Sequence, residues 1–214
     1  MKFYLFLVVV LNFLQAFGQK TISIIPTYNS ERIVLDESYF KEENSSSVQF
    51  TEFKLYIAVL SKKNQKAKEY HLIDLKNPET LKIILDENDN SNTTIIQFGI
   101  DSVTSVSGAM DDDLDPINNM YWTWQSGYIN LKLEGTISTS TEKNQLFQYH
   151  IGGYSHPFNT SRLIEAQLKT NELFIPLDFI FDNKNSQRPS TIMSPNNDAQ
   201  NFMTDFINTI ISAN

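Results

Sequence analysis

Few side chains in this sequence can bind a soft metal ion. There are three histidines, His71, His150 and His156, five methionines and no cysteine. Both tryptophans, Trp122 and Trp124, stand one residue apart in the stretch "LDPINNMYWTWQSGYINLKLEG", just after Met120. In an extended segment the two indoles face the same side, because strand side chains alternate with a period of two. Such a pair can plug a core, offer a platform on which a glycan or peptide stacks, or wall a soft-metal site with the Met120 thioether. Burial in a core is the commonest fate of a large aromatic.

His150 alternates with Phe147, Tyr149 and Ile151, sharing its face with Gln148. A neutral imidazole there can take copper, or can be an ordinary hydrogen-bonded strand histidine. His71 shares a face with Ile73 and Leu75, which reads as half-buried, and His156 precedes Pro157 in a loop. No local zinc spacing such as H-E-x-x-H is present, so the fold must assemble any joint site. Met110 and Met193 have the same two readings as Met120, core filler or soft donor.

Hard-oxygen chemistry has a separate candidate. Asp111, Asp112, Asp113 and Asp115 crowd one loop, and Asp101 ends a strand upstream. Calcium is the ion for such a set, with Asp101, Asp111, Asp113 and Asp115 as donors. The spacing is not that of an EF-hand, and the competing reading is a solvated turn. Enzymatic patterns are missing. There is no G-x-S-x-G elbow, no cysteine nucleophile and no phosphate-cradling glycine loop. The His and Ser of "YHIGGYSHP" have no nearby Asp in a known order. Glu134 and Asp101 could pair as glycosidase carboxylates only by an accident of folding. The expectation is a protein that is not an enzyme.

The elements that must position these residues are mostly strands. "MKFYLFLVVVLNFLQAFGQK" has one charge, a short apolar run and small residues before Gln19, the pattern of a secretory signal peptide over residues 1–18. The run is too short for a spanning anchor, which needs roughly 20 residues. The expected mature domain is 19–214, periplasmic or secreted. The whole chain has a formal charge of −8 and a pI near 4.9, and the mature part, without Lys2, is more acidic still, so it should be repelled by nucleic acid and anionic lipid and should attract cations. Without disulfides the core alone must hold it.

Short apolar runs recur between Asn, Ser, Asp and Gly, as in an all-β domain. "TISIIP", "VQFTEFKLYIAVLS", "YHLIDL", "TTIIQFGID", "YINLKLEGTIS", "QLFQYHIGGY", "SRLIEAQL" and "ELFIPLDFIF" read as strands. Alternation puts Ile129, Leu131 and Leu133 on one face and Asn130, Lys132 and Glu134 on the other. A short helical turn is expected around Pro78–Ile83. Phe202, Met203, Phe206, Ile207, Ile210 and Ile211 form a helical stripe, with Asn197 and Gln200 as its capping pair. The fold class is therefore all-β: an antiparallel two-sheet β-sandwich with a short C-terminal helix.

One longer pattern adds to this. "GIDSVTSVSGAMDDDLDPINNMYWTWQSGYINLKLEG" followed by "YHIGG" resembles the MbnP-like family, exported β-sandwich proteins named for a methanobactin-associated periplasmic copper protein. "FKLYIAVLS", "YHLIDL" and "IMSP" are similar to that family's other segments, so the resemblance spans most of the chain. Family members usually read N-G-M before the aromatic run. Here Asn118-Asn119-Met120 departs from that, though Asn tolerates the left-handed backbone such a turn needs.

The resemblance implies copper, held in characterised relatives by histidines and a tryptophan that a partner dihaem enzyme oxidises. Applied here it makes His150, His71 and Met120 the copper candidates. Trp122 and Trp124 become near-site aromatics on which a redox partner protein would act. The reading is an exported, non-catalytic metal-binding protein. Its alternative is a secreted binding module for a glycan or peptide, with at most a structural calcium.

Overall fold

The computed structural model describes residues 21–41, 45–60, 69–85, 94–123, 126–166, 168, 170–181 and 188–214. The expected signal peptide and Trp124 lie outside these residues. In chain order the elements are β1 (Thr21–Tyr28), β2 (Glu31–Arg32), β3 (Ser38–Lys41), β4 (Ser46–Leu60), β5 (His71–Asp74), β6 (Lys82–Ile84), β7 (Thr94–Phe98), α1 (Ser102–Val106), β8 (Tyr121–Thr123), β9 (Gly127–Ser138), β10 (Gln145–Gly152), β11 (Arg162–Ala166), β12 (Glu172–Pro176), β13 (Thr191–Ile192) and α2 (Asn197–Ala213). No described helix is long and apolar enough to cross a membrane.

The strands form two sheets. The smaller has the order β12-β1-β2, with β6 also on β1. The larger runs β11-β7-β4-β9-β10-β13, with β3 and β5 on β4 and β8 on β9. The mainly-β expectation and the terminal helix hold, but the sheets are mixed rather than wholly antiparallel. β1 pairs β12 in parallel, and β10 pairs β13 in parallel. Tight turns enforce antiparallel neighbours, whereas strands that meet after a long excursion are free to run the same way. β1 and β12 meet after nearly the whole chain has passed between them.

The long central strand β4 organises both interiors. Its odd-numbered Phe53, Leu55 and Ile57 join Ile22, Ile24, Leu173 and Ile175 of the smaller sheet, and Phe202, Met203, Phe206 and Ile210 of α2, in one fully buried core. Its even-numbered Tyr56, Ala58 and Leu60 point the other way, into a second cluster with Leu72, Met120, Tyr128 and Ile129. Period-two alternation predicts this division.

The structure corrects several local expectations. Ile129 does not share a face with Leu131 and Leu133: it belongs to the second cluster, while they line the main core. A register shift between β9 and β10 at Ile151/Gly152 inverts the alternation there. α2 is capped by Asn196, whose side chain accepts from Ala199 N at 2.8 Å, one residue before the expected cap. Ile211 falls off the buried stripe and is 57% exposed. The expected turn around Pro78–Ile83 is a 3-10 helix over Pro78–Leu81, followed directly by β6. The strand expected through "ELFIPLDFIF" stops at Pro176, then Asp178–Phe181 coils as a 3-10 turn. Asn119 adopts the anticipated left-handed conformation, with φ 58°.

Candidate functional site

The outer face of the larger sheet, away from the main core, carries most of the chemistry. Cross-strand register sets Asp74, Lys54, Lys132 and His150 side by side on β5, β4, β9 and β10. The next row holds Glu52, Glu134 and Gln148. Like charges therefore stand opposite each other in Lys54–Lys132 and Glu52–Glu134, which is unfavourable by itself. Opposite charges across from them and along the same strands compensate. Lys54 Nζ lies 3.2 Å from Asp74 and 3.6 Å from Glu52, and Lys132 Nζ lies 3.7 Å from Glu134. Lys76 reaches in to donate to Glu52.

These charges are largely shielded, with Lys54 and His150 side chains each only 10% exposed. Burial pushes the Glu52 carboxyl up. The Lys76 hydrogen bond and the charges of Lys132, Lys76 and Lys54 outweigh it and hold the carboxyl below its ordinary value.

His150 ends the first row. Its Nε2 lies 2.6 Å from Glu134 Oε1. An ionised carboxylate only accepts, so Nε2–H is the donor.

Beside this ladder the same face turns aromatic. Tyr128 meets Tyr56 edge-on at 5.8 Å and Tyr121 at 4.9 Å between ring centroids. Met120 is fully buried among them. Burial pushes the Tyr56 and Tyr128 hydroxyls up, so both remain neutral donors. They use those hydroxyls to fasten the crossover that carries α1 and the acidic loop. Tyr56 Oη donates to Asp113 O at 2.9 Å. Tyr128 Oη accepts from Met110 N at 3.1 Å and reaches Leu114 O at 3.0 Å. Lys54 Nζ donates to Asn118 O at 3.0 Å.

Trp122 packs on this cluster, partly buried. Its ring lies over Gly152, where an added Cβ would come within 2.9 Å of it. The Tyr154 ring lies over Gly127 in the same way, 2.7 Å from where a Cβ would stand. Each segment thus supplies a glycine for the other's aromatic ring. Gly152 and His150 are two apart on β10 and so face the same side. The structure therefore brings Trp122, His150 and the Met120 cluster to one face of one sheet.

It does not bring the remaining candidates there. His71 pairs with Ile57, whose side chain lines the main core, so His71 and His150 sit on opposite faces. His156 is exposed in its loop.

The carboxylates proposed for calcium are engaged separately by backbone amides. Asp101 caps α1 by accepting from Thr104 N at 2.7 Å, Asp113 accepts from Leu72 N at 2.9 Å, and Asp115 accepts from Ile117 N at 2.8 Å. Asp111 is exposed and makes no side-chain cap. Among the described residues no three His, Cys, Asp or Glu side chains are grouped to hold a metal ion.

The residues that sequence reasoning missed are Glu52, Lys54, Asp74 and Glu134 as one network. A lysine in the middle of the apolar run "FKLYIAVL" was the available signal.

The chain belongs to the MbnP family, whose model matches residues 17–203. Among solved structures it is similar to "MbnP from Methylosinus trichosporium", at 9% identity over 75% of this chain and 76% of that chain, with a TM-score of 0.47. No curated protein matches it.

Proposed function

We propose that this chain is an exported, non-catalytic MbnP-type protein that binds copper on the outer face of its larger sheet, with His150 as the imidazole donor. One observation carries the reading: Trp122 lies over Gly152, two residues along β10 from a shielded His150 on the same face. Family membership supports copper, and the donor chemistry agrees with it. One imidazole and one thioether, that of Met120, suit Cu(I), and among the described residues no oxygen donors converge for calcium. His71 takes no part, because it faces the other side of the sheet.

Trp122 and Trp124 remain the residues on which a redox partner protein would act. Placement in a periplasm or outside the cell, after cleavage near Gly18, is supported by the leader pattern and by the family.

The test is an anaerobic Cu(I) titration of residues 19–214 against a competing chelator, repeated on His150→Ala. One-to-one binding that weakens by about tenfold or more in the variant is expected. No uptake by the wild-type chain sinks the reading. The alternative, a glycan- or peptide-binding module, would then be tested with an oligosaccharide panel.

A further inference from the structure

Strand β12 has an open side. Among the described residues it pairs only with β1. In a parallel ladder, alternate residues turn both backbone groups toward the same neighbour. Ser23 N donates to Asn171 O, and Leu177 N to Thr27 O, both at 2.8 Å. Residues 171, 173, 175 and 177 therefore address β1, while Glu172, Phe174 and Pro176 turn their backbone groups outward. A row of outward N–H and C=O groups is a template on which another strand can add.

All three outward positions are protected, each differently. Pro176 has no N–H to offer. Glu172 places a charge on the edge, 3.6 Å from Arg32. Phe174, the central one, is bonded twice by a single side chain: its N–H donates to Asn214 Oδ1 at 3.0 Å, and its C=O accepts from Asn214 Nδ2 at 2.9 Å. A carboxamide presents an acceptor and a donor side by side, as the facing residue of an added strand does. The same Nδ2 also donates to Ile210 O at 2.9 Å in the last turn of α2. One side chain therefore closes a strand edge and a helix end together.

We infer that Asn214 is a surrogate strand residue that stops a second copy of this chain from adding its own β12 at this edge. A second copy is the fitting occupant. Phe174 is the middle of the three outward positions, so two β12 strands related by a two-fold axis would pair in register, Phe174 against Phe174. Protection at the Phe174 amide follows from the plug.

The test combines amide hydrogen exchange with sedimentation on residues 19–214 and their Asn214→Ala and Asn214→Asp variants. At low concentration the Phe174 amide should exchange about tenfold faster in Asn214→Ala, while Leu173 and Ile175, which face β1, keep wild-type rates. Asn214→Asp keeps the acceptor for the Phe174 N–H and should fall between. At high concentration Asn214→Ala should form a dimer in which the Phe174 amide is protected again. Unchanged exchange at Phe174, or a variant that stays monomeric at every concentration, overturns the inference.

Discussion

The two faces of β4 solve opposite problems with one strand. Phe53, Leu55 and Ile57 enter a core shared with the smaller sheet and α2, where aliphatic and aromatic side chains predominate and burial is the main favourable term. Lys54 and Tyr56, interleaved with them, enter a face of charges and hydroxyls that is almost as well shielded, with Tyr56 fully buried. On that face a buried group is tolerated only when its hydrogen bonds are made. Area therefore stabilises the first face and directional partners hold the second. The second carries charges and hydroxyls that a ligand or partner could recognise, and it is the face that holds both Trp122 and His150.

The largest effect expected from this contrast is on the apolar side. Phe53→Ala removes a fully buried ring from the main core and should cost about 3–5 kcal/mol. At this chain length that lowers the melting temperature by on the order of 10 °C. Calorimetry on folded protein checks it, and a loss below about 1 kcal/mol would mean that the two faces are not the separate interiors described here. If the proposed copper site on the outer face is right, copper uptake per folded molecule should be unchanged, since Phe53 faces away from His150.

On the outer face the informative change keeps the ring and removes one atom. Tyr128→Phe leaves Met110 N and Leu114 O without their shared hydroxyl, at an expected cost of about 1–3 kcal/mol. The loss should be local. Faster hydrogen exchange is expected at the Met110 amide, with β4 amides unchanged until global unfolding. Equal acceleration at both sites would merge the two faces into one cooperative unit and weaken the contrast.

How far each face was legible in the sequence follows the same division. Phe147, Tyr149 and Ile151 alternate visibly, and so does the stripe of α2, because burial of one face writes a period into the chain. The opposite placement of His150 came with it. Its neighbours did not, since the Lys132 and Lys54 beside it are set by register between strands far apart in sequence. The same limit hid the separation of His71 from His150 and the parallel arrival of β12 at β1. Ile129 was misread because a one-residue register shift exchanges the two faces without any local signal. The aspartates looked like a cation cage because their spacing shows carboxylate density but not direction. Asp101 and Asp115 turn to the amides two or three residues ahead of them, and Asp113 to the Leu72 amide on β5.

The smallest expected effect is the most specific to the charged ladder. Burial opposes ionisation of Glu52, but the Lys76 hydrogen bond and three lysine charges prevail, so its folded value lies below the ordinary 4.5. A depressed carboxyl contributes stability that is present above its unfolded value and is lost as the pH falls through the folded one. The wild-type chain should therefore lose this contribution only below about pH 4.5. Lys76, raised first by its hydrogen bond to Glu52, behaves in mirror image, contributing below its ordinary 10.5 and losing that as the pH climbs through its folded value. Glu52→Gln deletes the acidic partner of both. It should cost no more than about 1 kcal/mol at neutral pH after solvent screening, and it should flatten the acid limb of stability against pH. Urea melts at pH 3 and pH 7 on both proteins measure the difference. If the acid limb keeps its slope in Glu52→Gln, then the acid sensitivity arises elsewhere. The ladder would then be a set of independent surface pairs rather than one network held by a shared carboxylate.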